Sequence, residues 1–161
     1  MNVATQCSRA SCDQMLSYKP PRIALLLLTV AIASHAVLPV CTSTSSALVT
    51  TGLTTVGAGF VILLRAWWLF RKRTINICPT AHTRLLIVDD IFALTRNPMY
   101  LGMVAIMTGI GMTLASWPVF IAGVVYALII NHVFCRYEEA KLQSVFGETY
   151  SAYKDHVRRW I

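Results

Sequence analysis

Charge is scarce in this chain. Asp, Glu, Lys and Arg make up 13% of its 161 residues, against 56% hydrophobic residues and a mean hydropathy of +0.60. Ordinary soluble domains carry about 25% charged residues, so the composition excludes a water-surrounded fold and implies an integral membrane protein, with no room for a separate soluble domain. Acids are absent from every long apolar run, which argues against a small exporter working through a carboxylate inside a span. No paired metal ligands appear: Cys7 and Cys12 have no His at ligand spacing, and no metal is expected. Four of the five cysteines (Cys7, Cys12, Cys78 and Cys135) fall on the side assigned below to the reducing cytoplasm, while Cys41 alone faces out, so no intramolecular disulfide is expected. No basic stripe with base-stacking spacing is present. The net charge of +7 therefore reads as topology and attraction to anionic lipid, and no nucleic-acid partner is expected.

What the chain does have is long apolar runs. Four are candidate spans: about Ile23 to Val40, about Ala47 to Phe70, Met99 to Ser116, and Val119 to Phe134, the last two joined by a turn at Trp117-Pro118. An all-α polytopic membrane protein of about four transmembrane helices with a C-terminal amphipathic helix is predicted. Lys and Arg cluster in the N-terminal tail, between Arg65 and Arg96, and from Arg136 onward, whereas the connections near Thr42 to Ser46 and Ser116 to Pro118 carry no charge. The positive-inside rule then puts both termini and the middle loop in the cytoplasm. Residues 1–20 are expected to be a disordered cytoplasmic tail and 21–161 the membrane domain. Lys19 to Arg22, followed by a leucine-rich run and Ala31-Ile32-Ala33, resembles a cleavable signal, but the run continues to Val40 and favours an uncleaved first helix.

The polar residues at one end of the last two spans carry the chemistry. Two limbs joined by a tight turn return to their starting side, so Arg96 and Glu138 are expected at one membrane face. Pro98 suits a helix start; Arg96 offers a rigid fork for a carboxylate or phosphate; Tyr100 brings a ring and a hydroxyl; Gly102 removes a side chain where a ligand or helix must come close. Asn131, Cys135 and Glu138 are expected on one helical stripe, with His132, Arg136 and Glu139 on the next. By spacing alone an alternative stays open, in which Arg96 binds lipid phosphate and Glu138-Glu139 pair with Arg136 and Lys141. Ala105, Gly109 and Thr113 form a small-residue face for helix packing. Trp67, Trp68 and Trp160 read as interface anchors. Leu142, Val145, Phe146, Tyr150, Tyr153 and Val157 recur at helical spacing, and Gly147 is a candidate break.

The run from Thr95 through Arg96-Asn97-Pro98-Met99-Tyr100-Leu101-Gly102, the Glu138-Glu139 pair, and Phe146-Gly147 with Tyr150 and Tyr153 together resemble the integral-membrane methyltransferases. That group includes isoprenylcysteine carboxyl methyltransferase and phosphatidylethanolamine N-methyltransferase, and the bacterial members are especially similar. The resemblance covers roughly Leu53 to Ile161. It implies S-adenosyl-L-methionine as methyl donor, held by Arg96, Asn97, Pro98, Tyr100, Leu101, Gly102, Glu138 and Glu139, with Arg96, Glu138 and Glu139 as the catalytic set. The acceptor it implies is a lipid or a lipidated or otherwise hydrophobic molecule, methylated at the cytoplasmic face of a bacterial inner membrane among membrane lipids. A phospholipid N-methyltransferase and a non-catalytic relative are the alternatives. One departure stands out: Asp90-Ile91-Phe92 lies where the family has Gly-Pro-Tyr or Gly-x-Tyr/Phe, and Asp90 is expected to alter the cofactor pocket.

Overall fold

The computed structural model describes residues 20–37, 45–75 and 86–161. The segments with Cys7 and Cys12, with Cys41 and with Cys78 lie outside the described residues. Those described form helices without strands: α1 (Pro20–Val37), α2 (Ser46–Ile75), α3 (Pro98–Thr113), α4 (Trp117–Ile129), α5 (Cys135–Phe146) and α6 (Glu148–His156), with a short 3-10 turn at Asp90–Ala93. A π-helical turn at Ile130–Phe134 joins α4 to α5, and the two run on as one rod, apolar enough over Trp117–Phe146 to cross a membrane. α1 and α2 also qualify. α3, with 16 residues, rises only about 24 Å at 1.5 Å per residue, so the third expected span is shorter than the sequence suggested. The outer surface carries exposed Leu25, Leu53, Val61, Trp117, Ile121 and Leu128, the apolar exterior of a protein surrounded by lipid. This is an all-α integral membrane protein.

In lipid, apolar side chains gain little by leaving their solvent, so helices associate where backbones approach closely. Here α2 lies along α3 in that way. A β-carbon added to Gly102 would sit 2.8 Å from the Gly59 carbonyl oxygen, and one added to Gly52 would meet Thr113 and the Gly109 carbonyl. The stripe of α3 facing α2 runs through Gly102, Ile106, Gly109 and Thr113, so the expected small face includes Gly109 and Thr113 but is shifted toward Gly102. On the other flank α4 packs between α3 and α1. The core there is built on Tyr126, Ile130, Val119, Met107 and Phe134, against which Ile23, Leu27 and Leu28 of α1 are laid.

The α3–α4 connection differs from the expected turn at Trp117-Pro118. Those two residues open α4, where Pro in the first turn loses no hydrogen bond. The reversal is made before them. The Ser116 amide donates to the Gly111 carbonyl at 2.9 Å and the Ala115 amide to Met112 at 3.1 Å, with Ala115 in the left-handed region at φ 46°. This is a Schellman close with alanine where glycine is usual. The expected C-terminal amphipathic helix is likewise two helices. Gly147 adopts φ 53° and ψ −124°, a conformation open to glycine and costly to other residues, and the chain folds back there from α5 into α6. The Gln143 side chain bridges the bend, donating to the Gly147 carbonyl at 3.0 Å and to the Ser151 hydroxyl at 2.9 Å.

Candidate active site

The open end of the α3–α4 hairpin brings Arg96 and Tyr100 against Glu139 and Glu138. The Tyr100 hydroxyl donates to Glu138 Oε1 at 2.6 Å, and Arg96 Nη1 lies 3.1 Å from Glu139 Oε1. Lys141 lies near enough to Glu138 to stabilise its charge, and Glu139 takes its ion pairs from Arg96 and Arg159. A cavity of about 560 Å3 opens beside them, lined on its polar side by Arg96, Asn97, Tyr100, Glu138, Glu139 and Tyr150. Apart from Lys141 and Tyr153, its remaining wall is apolar, from Pro20 and Pro21 of α1, Leu86, Ile87, Phe92, Met99, Met103 and Leu142. The volume is within the roughly 300–1,000 Å3 of small-molecule sites. A smaller hollow of about 260 Å3, reached by Arg136, Gln143 and Lys154, shares Glu139 and Tyr150 with it.

The π-helical turn decides which stripe enters this site. Its wider loop takes up an extra residue, and everything downstream is rotated by up to about 100° relative to a regular helix. Glu139 thereby comes onto the face of Asn131 instead of following His132 and Arg136. Arg159 joins the two, donating from Nη1 to Asn131 Oδ1 at 3.0 Å and from Nε and Nη2 to the two oxygens of Glu139 at 2.8 and 2.7 Å. His132 and Arg136 are exposed.

Beyond α6 the chain runs back through the site as a strap. The Arg96 amide donates to the Arg158 carbonyl at 3.0 Å, the Thr95 hydroxyl to the Arg159 carbonyl at 2.9 Å, and the Asn97 amide nitrogen to that same carbonyl at 3.5 Å. Trp160, expected as a headgroup anchor, turns inward and donates from Nε1 to Asn131 Oδ1 at 3.1 Å. Sequence reasoning missed Arg159 as a site residue. No periodicity could mark it, because α6 has already ended at His156.

Electrostatically the site is a mostly desolvated cluster. Arg96 is 10% exposed and Glu139 13%. Arg96 Nε and Nη1 and the Tyr150 hydroxyl are buried without a hydrogen-bond partner; the Nη1 contact with Glu139 is an ion pair outside hydrogen-bonding geometry. Burial pushes the Tyr150 phenol up, and the adjacent Arg96 guanidinium draws it partly back. The hydrogen bonds to Glu139 raise the already high Arg159 value further. Unpartnered buried donors are costly, about 1–3 kcal/mol each, and such a group commonly marks a ligand position.

Of the other expected donor-site residues, Asn97 and Pro98 line the cavity, whereas Leu101 and Gly102 do not. Gly102 admits α2 rather than a ligand. Asp90 is also outside the lining. Its φ of 58° explains why glycine suits that position, and its carboxylate is held by Arg65 at 2.7 Å and 3.2 Å. The departure at Asp90 is thus a matter of backbone conformation, away from the cavity wall. Among the described residues no cluster of His, Cys, Asp and Glu could hold a metal ion.

Comparison with known proteins follows the same lines. A family model described as "Phospholipid methyltransferase" matches residues 46–149, from α2 into α6. A protein of Haemophilus influenzae described as uncharacterized is 33% identical over 63 residues, which is 39% of this chain and the whole of that one. No solved structure matches.

Proposed function

The chain belongs to the phospholipid methyltransferase family, and from that premise we propose that it transfers a methyl group from S-adenosyl-L-methionine to a lipid-bearing acceptor at the cytoplasmic face of a membrane. The observation that carries this reading is the buried Arg96 guanidinium, with two nitrogens lacking hydrogen-bond partners, on the wall of a cavity otherwise mostly apolar. A donor bearing a carboxylate, an amine and an adenosyl group fits such a wall. Arg96 receives the carboxylate, with the Tyr150 hydroxyl beside it. Glu138, one of whose oxygens accepts from Tyr100, receives the amine or a ribose hydroxyl. The Tyr100 ring lies against the adenosyl or sulfonium part. Glu139, with both oxygens held by Arg159, sets the guanidinium pair. Asn97 and Pro98 shape the floor.

The donor supplies an activated methyl on a sulfonium. The chain's work is alignment and exclusion of water, which the apolar residues from α1, α3 and α5 provide. They suit an acceptor carrying a hydrocarbon tail. An amine acceptor must lose a proton before attack, whereas a carboxylate acceptor, as in an isoprenylcysteine-type reaction, needs no base. The family description favours a phospholipid amine. Arg96→Ala and Glu138→Gln are each expected to weaken donor binding roughly tenfold to a hundredfold, the loss of a charge-assisted hydrogen bond, while Tm stays near wild type. Titration calorimetry on detergent-purified protein checks both, and a screen of lipid extracts with radiolabelled donor identifies the acceptor. Unchanged affinity in both variants would overturn the site.

A further inference from the structure

Arg159 is absent from the cavity lining, yet it makes the best-formed contacts of the cluster. Glu139 faces two guanidinium groups, and a carboxylate can be gripped in the two-pronged manner by only one of them. Arg159 has that grip, at 2.8 and 2.7 Å. Arg96 is left with the 3.1 Å contact to Oε1, too poorly aligned to satisfy its Nε and Nη1. Around Glu139 two guanidinium groups share one carboxylate, and the one with the weaker hold on it, Arg96, is the one that lines the cavity. Arg159 is itself fixed. Asn131 Oδ1 accepts from both Arg159 Nη1 and Trp160 Nε1, and the Arg159 carbonyl is held by Thr95 and Asn97.

We propose that Arg159 is a positioning residue for methyl-donor binding: by occupying both oxygens of Glu139 it prevents that carboxylate from pairing fully with Arg96, and so keeps the Arg96 fork free for the carboxylate of the donor. The inference rests on the reading of Arg96 as the donor's anchor. Without Arg159, the Glu139 carboxylate is free to pair fully with Arg96, and the donor must compete with an intramolecular anion.

The experiment is a set of S-adenosyl-L-methionine titrations on the full-length, detergent-purified protein with Tm measured on each sample. Arg159→Gln is expected to weaken donor binding roughly tenfold. Adding Glu139→Gln in the same chain is expected to recover part of the lost affinity, because a neutral amide cannot neutralise Arg96. A purely structural Arg159 gives the opposite pattern, with the double variant no better than the single one and affinity falling only as Tm falls. If Arg159→Gln does not fold, Arg159→Lys, which keeps the charge but loses the fork, is expected to bind severalfold more weakly than wild type. Wild-type affinity in the variant that folds, or failure of Glu139→Gln to rescue it, overturns the inference. Arg96→Ala separates the two layers: if it binds the donor like wild type, the donor-site reading fails, whereas a weakened Arg96→Ala beside an unaltered Arg159→Gln sinks only the role of Arg159.

Discussion

Asp90 and Ala115 are the two described residues other than glycine with positive φ, and they lead to different expectations. Ala115 carries a buried methyl group in a conformation that costs a non-glycine residue about 1–2 kcal/mol, so Ala115→Gly is expected to relieve that strain at the cost of some packing and to raise Tm slightly. Asp90 is compensated by Arg65. Asp90→Gly therefore loses an ion pair while relaxing the backbone, with little net change in Tm, and Asp90→Leu loses the pair and keeps the strain, lowering it. The hydrogen bond from Arg65 holds the Asp90 carboxyl below the usual range. A depressed folded value stabilises above the unfolded value of about 3.9 and is lost as pH falls through the folded one. The bridge is thus expected to be indifferent to pH across the neutral range and to contribute to unfolding only in acid, which a comparison of wild type and Asp90→Gly by acid titration checks. The glycine expected at position 90 was legible as a pattern, but its reason was not, because a dihedral angle leaves no mark in composition or spacing.

At the scale of elements, the α2–α3 contact depends on missing side chains. Gly102→Ala puts a methyl group 2.8 Å from the Gly59 carbonyl oxygen and 3.1 Å from the Leu63 backbone nitrogen, and rigid backbone cannot yield as a flexible side chain would. The helices must separate, and a loss of stability on the order of 1–3 kcal/mol, read as a lower Tm, is expected in detergent. An unchanged Tm would show that the two helices slide past one another at little cost. The apolar runs were legible because lipid demands them, and the hairpin because Pro98 marks a helix start and Trp117-Pro118 divides the apolar run, although the reversal itself falls just before those two residues. The π-helical turn was not. Nothing in Ile130-Asn131-His132-Val133-Phe134 departs from ordinary helix-compatible residues, and the rotation of Glu139 toward Asn131 is fixed by the partners Arg159 and Trp160, which arrive from elsewhere in the chain.

The molecule as a whole is a bundle whose polar chemistry is gathered at one end by segments distant in sequence. Arg96, Tyr100 and the two glutamates could be read together from the arithmetic of a hairpin. The strap through Arg158, Arg159 and Trp160 could not, since its return depends on the bend at Gly147 and on backbone hydrogen bonds that any residue type can make. The shortness of α3 has a consequence for the surrounding bilayer. A helix of about 24 Å in a hydrocarbon layer of about 30 Å leaves a mismatch of about 6 Å, which local thinning of the bilayer would relieve. A dip in the lipid beside α3 would lower the headgroup plane toward Pro98 and Arg96, presenting an acceptor's polar end to the cavity without lifting its tails into water. Turnover in reconstituted vesicles is then expected to fall as acyl chains are lengthened, while donor affinity stays constant, and equal turnover in thin and thick bilayers would show that the acceptor reaches the site without help from membrane shape.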